Sequence, residues 1–138
     1  MLYITGIHAL NLPCSLETCG DWHTSALHWE NINSKMVDST NSIFGDYGLE
    51  DCNCVPENPG NYKIANTIRA LLDLLIQGNY GVAQGMKEDF ICNDKYTLEV
   101  FGLVSKLVNQ PNWKEIDAFM GREYRMQWLH YKEDNNVQ

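Results

Sequence analysis

The stretch that decides the fold is NYKIANTIRALLDLLIQG, residues 61–78. Its apolar side chains recur at the spacing of a single helix face, and they are Ile64, Ile68, Leu71, Leu72 and Leu75. Asn61 precedes this stripe and Gly78 follows it, so the pattern predicts a helix between them. Arg69 and Asp73 lie four residues apart on that helix, a spacing that allows them to pair weakly.

Two further helices are predicted downstream of this stretch. The second covers about residues 94–108, is stopped by Pro111, and has an inward face of Leu98, Phe101, Val104, Leu107 and Val108. The third begins at Asn112, an N-cap residue with Glu115 in the reciprocal position of a capping box. Gly121 is a point at which it can bend, and its apolar face is Ile116, Phe119, Met120, Tyr124, Trp128 and Tyr131.

The N-terminal portion, residues 1–60, lacks helical spacing and favours strands and loops. Residues 2–8 are rich in β-branched and aromatic side chains and predict one strand, and residues 25–29 predict a second. Two prolines and a glycine in residues 55–61 mark a connection between the halves of the chain. We therefore predict an α+β fold, in which irregular N-terminal β-strands and loops pack on a C-terminal cluster of three main helices.

The length of 138 residues is typical of one domain. We expect a single globular domain over residues 1–132, with an acidic β and loop portion at 1–60 and a helical portion at 61–132. Residues 133–138 have little apolar surface to bury and are expected to fray.

Charge is distributed unevenly along the chain. Residues 1–60 contain eight carboxylates and one lysine, a net charge of −7 out of the total of −8. A field of this sign repels phosphate backbones and makes direct nucleic-acid binding through this portion unfavourable. It favours a basic protein partner instead, although an acidic surface also serves solubility alone.

Neither a signal peptide nor a membrane-spanning run is recognisable in the sequence. The cysteines are odd in number, which together with the absence of an export signal predicts free thiols in a reducing cytoplasm. These cysteines are Cys14, Cys19, Cys52, Cys54 and Cys92. We therefore expect a cytoplasmic protein with no membrane association.

The cysteines and histidines allow two kinds of chemistry, neither of which the spacing favours. The N-terminal portion contains five soft side chains that could bind zinc, namely Cys14, Cys19, His23, Cys52 and Cys54. They lack the paired C-x2-C spacing of zinc sites, so no metal and no cofactor is expected. A nucleophilic Cys14 or Cys19 would need His23 or His8 as its base and Asp21 to orient that base. No motif typical of such a nucleophile surrounds them.

Aromatic and acidic side chains occur together in the N-terminal portion and suggest a protein interface. Tryptophan is over-represented at binding hot spots because it combines a large rigid apolar face with a polar group. We take as candidate partner-binding residues Asp21, Trp22, His23, Trp29, Asp46, Tyr47, Glu50 and Asp51. The alternative is that Trp22 and Trp29 belong to the core.

Arg125 and His130 form an R-x4-H spacing that resembles the catalytic motif of the HEPN ribonucleases. That resemblance implies an alternative function, a metal-independent ribonuclease in which these two side chains act on RNA phosphodiesters. Residues five apart on a continuous helix diverge by about 140°. The pair would therefore need a bend or a partner chain to converge.

Three runs of the sequence resemble a group of small bacterial proteins associated with abortive-infection or toxin–antitoxin loci. The runs are GIHALNLPCSLETCGDWHTSALHW, AQGMKEDFICNDKYTLEVF and FMGREYRMQWLHY. The companion protein at such loci looks like a nucleotidyltransferase toxin. The resemblance thus implies an antitoxin-like role in bacterial defence, in which the chain neutralises a basic toxin by direct contact.

Overall fold

A computed structural model describes residues 1–138. The strands are β1 (Leu2–Tyr3), β2 (Val37–Asp38), β3 (Leu49–Cys52) and β4 (Tyr62–Ala65). The α-helices are α1 (Gly6–Leu10), α2 (Thr67–Gln77), α3 (Tyr80–Ala83), α4 (Thr97–Ser105), α5 (Trp113–Tyr124) and α6 (Met126–Asn135). Short 3₁₀ turns cover Thr24–Ala26, Ile32–Lys35 and Asp94–Tyr96, and a π-helical turn covers Met86–Ile91. The predicted α+β class is confirmed.

The strands form two small antiparallel sheets. β1 pairs with β2, and β3 pairs with β4 in a hairpin that places Leu49 opposite Ala65. Ile4 connects the two sheets, because its N–H donates to the Lys63 carbonyl at 2.9 Å and its carbonyl accepts from the Ala65 N–H at 2.8 Å. Residues 55–61 therefore connect two paired strands of one hairpin, and do not separate a strand portion from a helical portion as predicted.

The strand predicted over residues 2–8 is correct only for Leu2–Tyr3, because α1 begins at Gly6. The strand predicted over residues 25–29 is wrong. A 3₁₀ turn, Thr24–Ala26, begins just before that segment, and Trp29 folds back on it. The indole N–H of Trp29 donates to the Thr24 carbonyl at 3.0 Å, which keeps the polar group of a buried side chain paired. This local hydrogen bond replaces the pairing that a strand would need.

Helix α2 is the centre of the core, and it starts later than the apolar stripe predicts. Asn66 is its N-cap and accepts from the Arg69 N–H at 2.9 Å, while Gly78 ends it in the left-handed conformation. Ile64, the first residue of the predicted stripe, lies in β4. Apolar side chains surround α2 on most sides, among them Tyr3, Leu10, Phe44, Ala83, Val104 and Phe119.

Arg69 and Asp73 form a buried ion pair, not the weak pair that the sequence predicts. The exposed fractions of their side chains are 0% and 7%, and Arg69 Nε lies 3.1 Å from Asp73 Oδ1. The other guanidinium nitrogens donate to the carbonyls of Gly45 and Tyr47, the hydroxyl of Tyr3 and the hydroxyl of Ser42. Every donor of the buried cation is thus paired within the fold.

Asp73 completes this network from its second oxygen. The hydroxyls of Tyr3 and Thr5 donate to its Oδ2 at 2.6 and 2.7 Å. Burial, and then the hydrogen bond to Asp73, raise the pKa of Tyr3 well above its ordinary value, so its hydroxyl stays a donor at all ordinary pH values. The network therefore joins the N-terminus and the loop at residues 42–47 to α2.

The C-terminal helices differ from the prediction in three details. Leu98 and Val108 were expected in the core but are 72% and 37% exposed. Asn112 makes no side-chain capping hydrogen bond, and its amide nitrogen donates to the Leu75 carbonyl and the Tyr80 hydroxyl. The third predicted helix is divided into α5 and α6 at Arg125, whose φ of 52° interrupts it, and not at Gly121.

The C-terminal end of the chain is more regular than expected. α6 continues to Asn135, inside the segment expected to fray, and the Trp113 indole donates to the Gln138 carbonyl at 2.7 Å. No helix of the structure is long and apolar enough to span a membrane.

The expectation of free thiols is wrong for four of the five cysteines. Cys19 is bonded to Cys92, and Cys52 is bonded to Cys54, which leaves Cys14 as the one free thiol. The pairing of Cys19 with Cys92 joins positions 73 residues apart, a proximity that spacing along the chain does not indicate.

Replacing Arg69 by methionine tests the central network. We expect the free energy of unfolding to fall by about 3–5 kcal/mol, because Asp73 is left as a buried charge without a cation beside it. Urea denaturation measures this change. The matched control is Arg122→Met, at an exposed arginine without an ion pair, which should change stability little. Equal losses in the two variants would contradict the role assigned to Arg69.

Candidate partner-binding site

The candidate partner-binding residues differ widely in exposure. Trp22, His23, Asp46 and Asp51 are exposed. Trp29 is only 2% exposed, and its ring lies 4.9 Å from the His8 ring within the smaller part of the core. Trp29 is therefore a core residue, and its prediction as an exposed anchor is wrong.

Three of the candidate acidic and aromatic residues are engaged within the fold. Glu50 accepts from the N–H and the hydroxyl of Ser15, both at 2.7 Å. Lys63 lies 2.8 Å from Asp51 and holds the pKa of that carboxyl below its ordinary value. Burial raises the pKa of Tyr47, whose hydroxyl donates to Glu99. Asp46 accepts a hydrogen bond from Ser39 at 3.2 Å and is otherwise exposed.

Trp22 is the most exposed large apolar side chain of the protein, with 84% of its surface accessible. The loop that carries it is nevertheless tied down on both sides. The N–H groups of Cys19 and Gly20 both donate to the Phe90 carbonyl, and the Asp21 N–H donates to the Leu10 carbonyl at 2.8 Å. Only glycine fits position 20, because its φ is +69° and a Cβ there would lie 2.9 Å from the Leu10 carbonyl oxygen.

Asn11 fixes the two residues that flank Trp22. Its Nδ2 donates to Asp21 Oδ2 at 3.2 Å and to the Ile7 carbonyl at 2.9 Å, and its Oδ1 accepts from the His23 N–H at 2.9 Å. Asp21 also bonds to His23 Nδ1 through its other oxygen. The Asp21 side chain is 14% exposed and that of His23 is 77% exposed, so the carboxylate orients an imidazole that faces solvent.

A cavity of about 390 Å³ opens beside Trp22. Its apolar wall consists of Leu10, Leu12, Pro13 and Leu16. Its polar wall brings together side chains from distant parts of the chain: Thr67, the first residue of α2, lies 2.7 Å from the Thr18 hydroxyl and 3.5 Å from the Cys14 sulfur. Sequence reasoning missed Thr67 because nothing local distinguishes it from other helix-starting threonines.

The structure does not assemble the histidine-activated cysteine or the metal site considered from the sequence. Cys14 makes hydrogen bonds to Thr18 and Thr67 and none to a histidine, and Cys19 is bonded to Cys92. No group of three or more histidine, cysteine or acidic side chains is placed to hold a metal ion.

Arg125 and His130 line two different cavities. Arg125 lies with Arg122, Glu88 and Asp89 in a polar cavity between α3 and the junction of α5 and α6. His130 lies in a groove between α4 and α6 with Leu98, Phe101 and Tyr131. Within one chain the two side chains therefore do not share the cleft that the ribonuclease hypothesis requires.

Comparison with known proteins gives no match: no family model fits the sequence, and no curated protein and no solved structure is significantly similar to it. Function is therefore inferred from the residues and geometry of the chain itself.

Replacing Asn11 by alanine tests whether its amide holds the Trp22 loop. We expect amide hydrogen exchange at His23 to rise by roughly tenfold, because a loss of about 1.4 kcal/mol is typical for a broken hydrogen-bond network of this size. Nuclear magnetic resonance measures that rate. The control is Asn135→Ala, whose amide donates only to the Tyr131 carbonyl on an exposed helix face. Unchanged exchange at His23 in Asn11→Ala would show that other contacts hold the loop.

Proposed function

We propose that the protein is an acidic protein-binding module with an antitoxin-like role, which neutralises a basic protein partner by direct contact. The observation that carries this proposal is the exposed Trp22 on a loop held by backbone hydrogen bonds and the Asn11 side chain. The loop comprises residues 19–23 and is called the Trp22 loop below.

An exposed tryptophan on an ordered loop is well suited to anchor a partner. Burying an indole at an interface removes a large apolar area from water, and tryptophan side chains accordingly dominate many measured hot spots. Because hydrogen bonds already hold the loop, little conformational entropy is lost when a partner binds. The apolar wall of the adjoining cavity, in which Pro13 is exposed and Leu16 is partly exposed, offers further surface to the same partner.

The negative charge of the N-terminal portion supports a basic partner. The net charge of the chain is −8, and seven of those charges come from residues 1–60, the portion that also contains the Trp22 loop. Such a field increases the rate of association with positively charged proteins and disfavours acidic ones. The exposed carboxylate of Asp46 makes no ion pair and contributes fully to it, whereas the exposed carboxylate of Asp51 is paired with Lys63.

A nucleotidyltransferase-type toxin is the partner that we propose. An enzyme that acts on nucleic acid needs a basic groove to hold the phosphate backbone, and an acidic protein with a projecting aromatic side chain is complementary to such a groove. We place this contact in the cytoplasm, where a toxin of that kind would have to be neutralised.

The test is binding to the purified nucleotidyltransferase-type toxin by calorimetry, together with relief of toxin activity. We expect Trp22→Ala to weaken binding by about 2 kcal/mol or more, roughly 30-fold in Kd, because the indole is the central anchor. The matched control is Leu129→Ala, which shortens another exposed apolar side chain, on α6, and should leave the Kd unchanged. Equal effects of the two variants would reject Trp22 as the anchor.

A second pair of measurements tests the charge. The double variant Asp46→Lys, Asp51→Lys should associate with the toxin more slowly than the wild-type protein does. High salt should reduce this difference in association rate, because screening shortens the range of the acidic field. If the wild-type protein neither binds the toxin nor relieves its activity, the antitoxin-like role is rejected.

A further inference from the structure

A free cysteine and a disulfide lie beside the Trp22 loop. Cys14 and Cys19 line the same cavity, and Cys19 is bonded to Cys92, which directly follows the π-helical turn Met86–Ile91. Cys14 is partly exposed and is the only free thiol of the protein, and both cysteines of the Cys19–Cys92 disulfide are exposed. A free thiol and one half of an exposed disulfide therefore line the same cavity.

We propose that Cys14 is the nucleophile of an internal thiol–disulfide exchange, which moves Cys19 from Cys92 to Cys14 and so releases the Trp22 loop from the segment that follows the π-helical turn. The exchange itself is independent of the proposed function, whereas its effect on partner binding rests on that function.

The exchange needs no external oxidant or reductant. The Cys14 thiol gives its proton to water, and the resulting thiolate attacks the Cys19 sulfur. The Cys14–Cys19 bond forms as the Cys19–Cys92 bond breaks, and the Cys92 thiolate leaves and takes up a proton. One thiol and one disulfide are present before and after the step, so electrons and protons balance.

Two hydroxyl groups are placed to assist the attacking sulfur. Thr67 Oγ1 lies 3.5 Å and Thr18 Oγ1 lies 3.9 Å from Cys14 Sγ. Either hydroxyl can donate to the sulfur as negative charge develops on it. Thr67 is also the first residue of α2, an 11-residue helix whose N-terminal dipole favours negative charge.

The exchange changes how strongly the loop is constrained. The Cys19–Cys92 bond closes a loop across 73 residues, whereas a Cys14–Cys19 bond would join residues five apart within one segment. Cross-links that close long loops restrict a chain more than those that close short ones. After exchange, only non-covalent contacts, such as the hydrogen bonds from Cys19 and Gly20 to the Phe90 carbonyl, would hold the loop against the helices.

The cytoplasm that we propose as the compartment is consistent with such a device. Disulfides in reducing compartments are usually transient or redox-sensing rather than structural. The second disulfide, Cys52–Cys54, has one sulfur in the smaller part of the core and contributes no side chain to the cavity, so it takes no part in the exchange.

Peptide mapping of the full-length protein tests the exchange. The protein is held without reductant as the pH is raised from about 6 to about 9, which increases the thiolate fraction, and is then alkylated with N-ethylmaleimide and digested with trypsin. The resting form gives peptide 1–35 cross-linked to peptide 88–95, with Cys14 alkylated. The exchanged form gives peptide 88–95 with alkylated Cys92 and peptide 1–35 with an internal disulfide.

We expect the exchanged form to increase with pH in the wild-type protein and to be absent from Cys14→Ser. Three results would overturn the proposal: a cross-link between peptides 1–35 and 88–95 that persists at every pH, alkylated Cys92 appearing equally in Cys14→Ser, or isolation of the protein with all five cysteines alkylated.

Binding measurements separate this proposal from the proposed function. Cys14→Ser keeps Cys19 with Cys92, whereas Cys92→Ser, treated with oxidised glutathione before the measurement, pairs Cys19 with Cys14. We expect Cys92→Ser to bind the toxin several-fold more weakly, with circular dichroism confirming that it folds. Equal affinities of the two variants would overturn the regulatory effect while leaving Trp22 as the anchor. Wild-type affinity in Trp22→Ala would instead reject the anchor while leaving the exchange intact.

Discussion

The buried ion pair of Arg69 and Asp73 is the constraint on which the rest of the structure depends. A guanidinium group taken out of water must have its donors paired, and here carbonyls and hydroxyls from four separate positions supply the partners. Those positions lie on β1 and on the loop at residues 42–47, so satisfying one side chain of α2 fixes where both segments lie. The acidic N-terminal portion is therefore folded around the central helix.

This constraint also shapes the candidate site. Thr67, which lies on α2 two residues before Arg69, contributes to the polar wall of the cavity beside Trp22. The contact between Ser15 and Glu50 ties the neighbouring loop to β3. The site is thus built on the most buried element of the fold. A rigid support of this kind is what an exposed anchor needs if it is to bind without a large loss of conformational entropy.

The site was predictable only in part. The Asp21-Trp22-His23 run stands out by its residue types, and the structure places all three on one ordered loop. Trp22 and Trp29 are indistinguishable by type, yet one is 84% and the other 2% exposed. Arg125 and His130 match a spacing, but a change of backbone direction at Arg125 and the position of α4 decide which cavity each side chain enters.

The sequence by itself determined the α+β class, the acidic charge of the N-terminal portion and the existence of the central helix, because these depend on composition and on spacings between near neighbours. Only the tertiary structure decided the burial of the Arg69 and Asp73 ion pair, the hairpin across residues 55–61, the burial of Trp29 and the pairing of Cys19 with Cys92. Each of these depends on which distant segments come into contact. These long-range contacts follow from packing and from the need to pair buried polar groups, and no local pattern in the sequence indicates them.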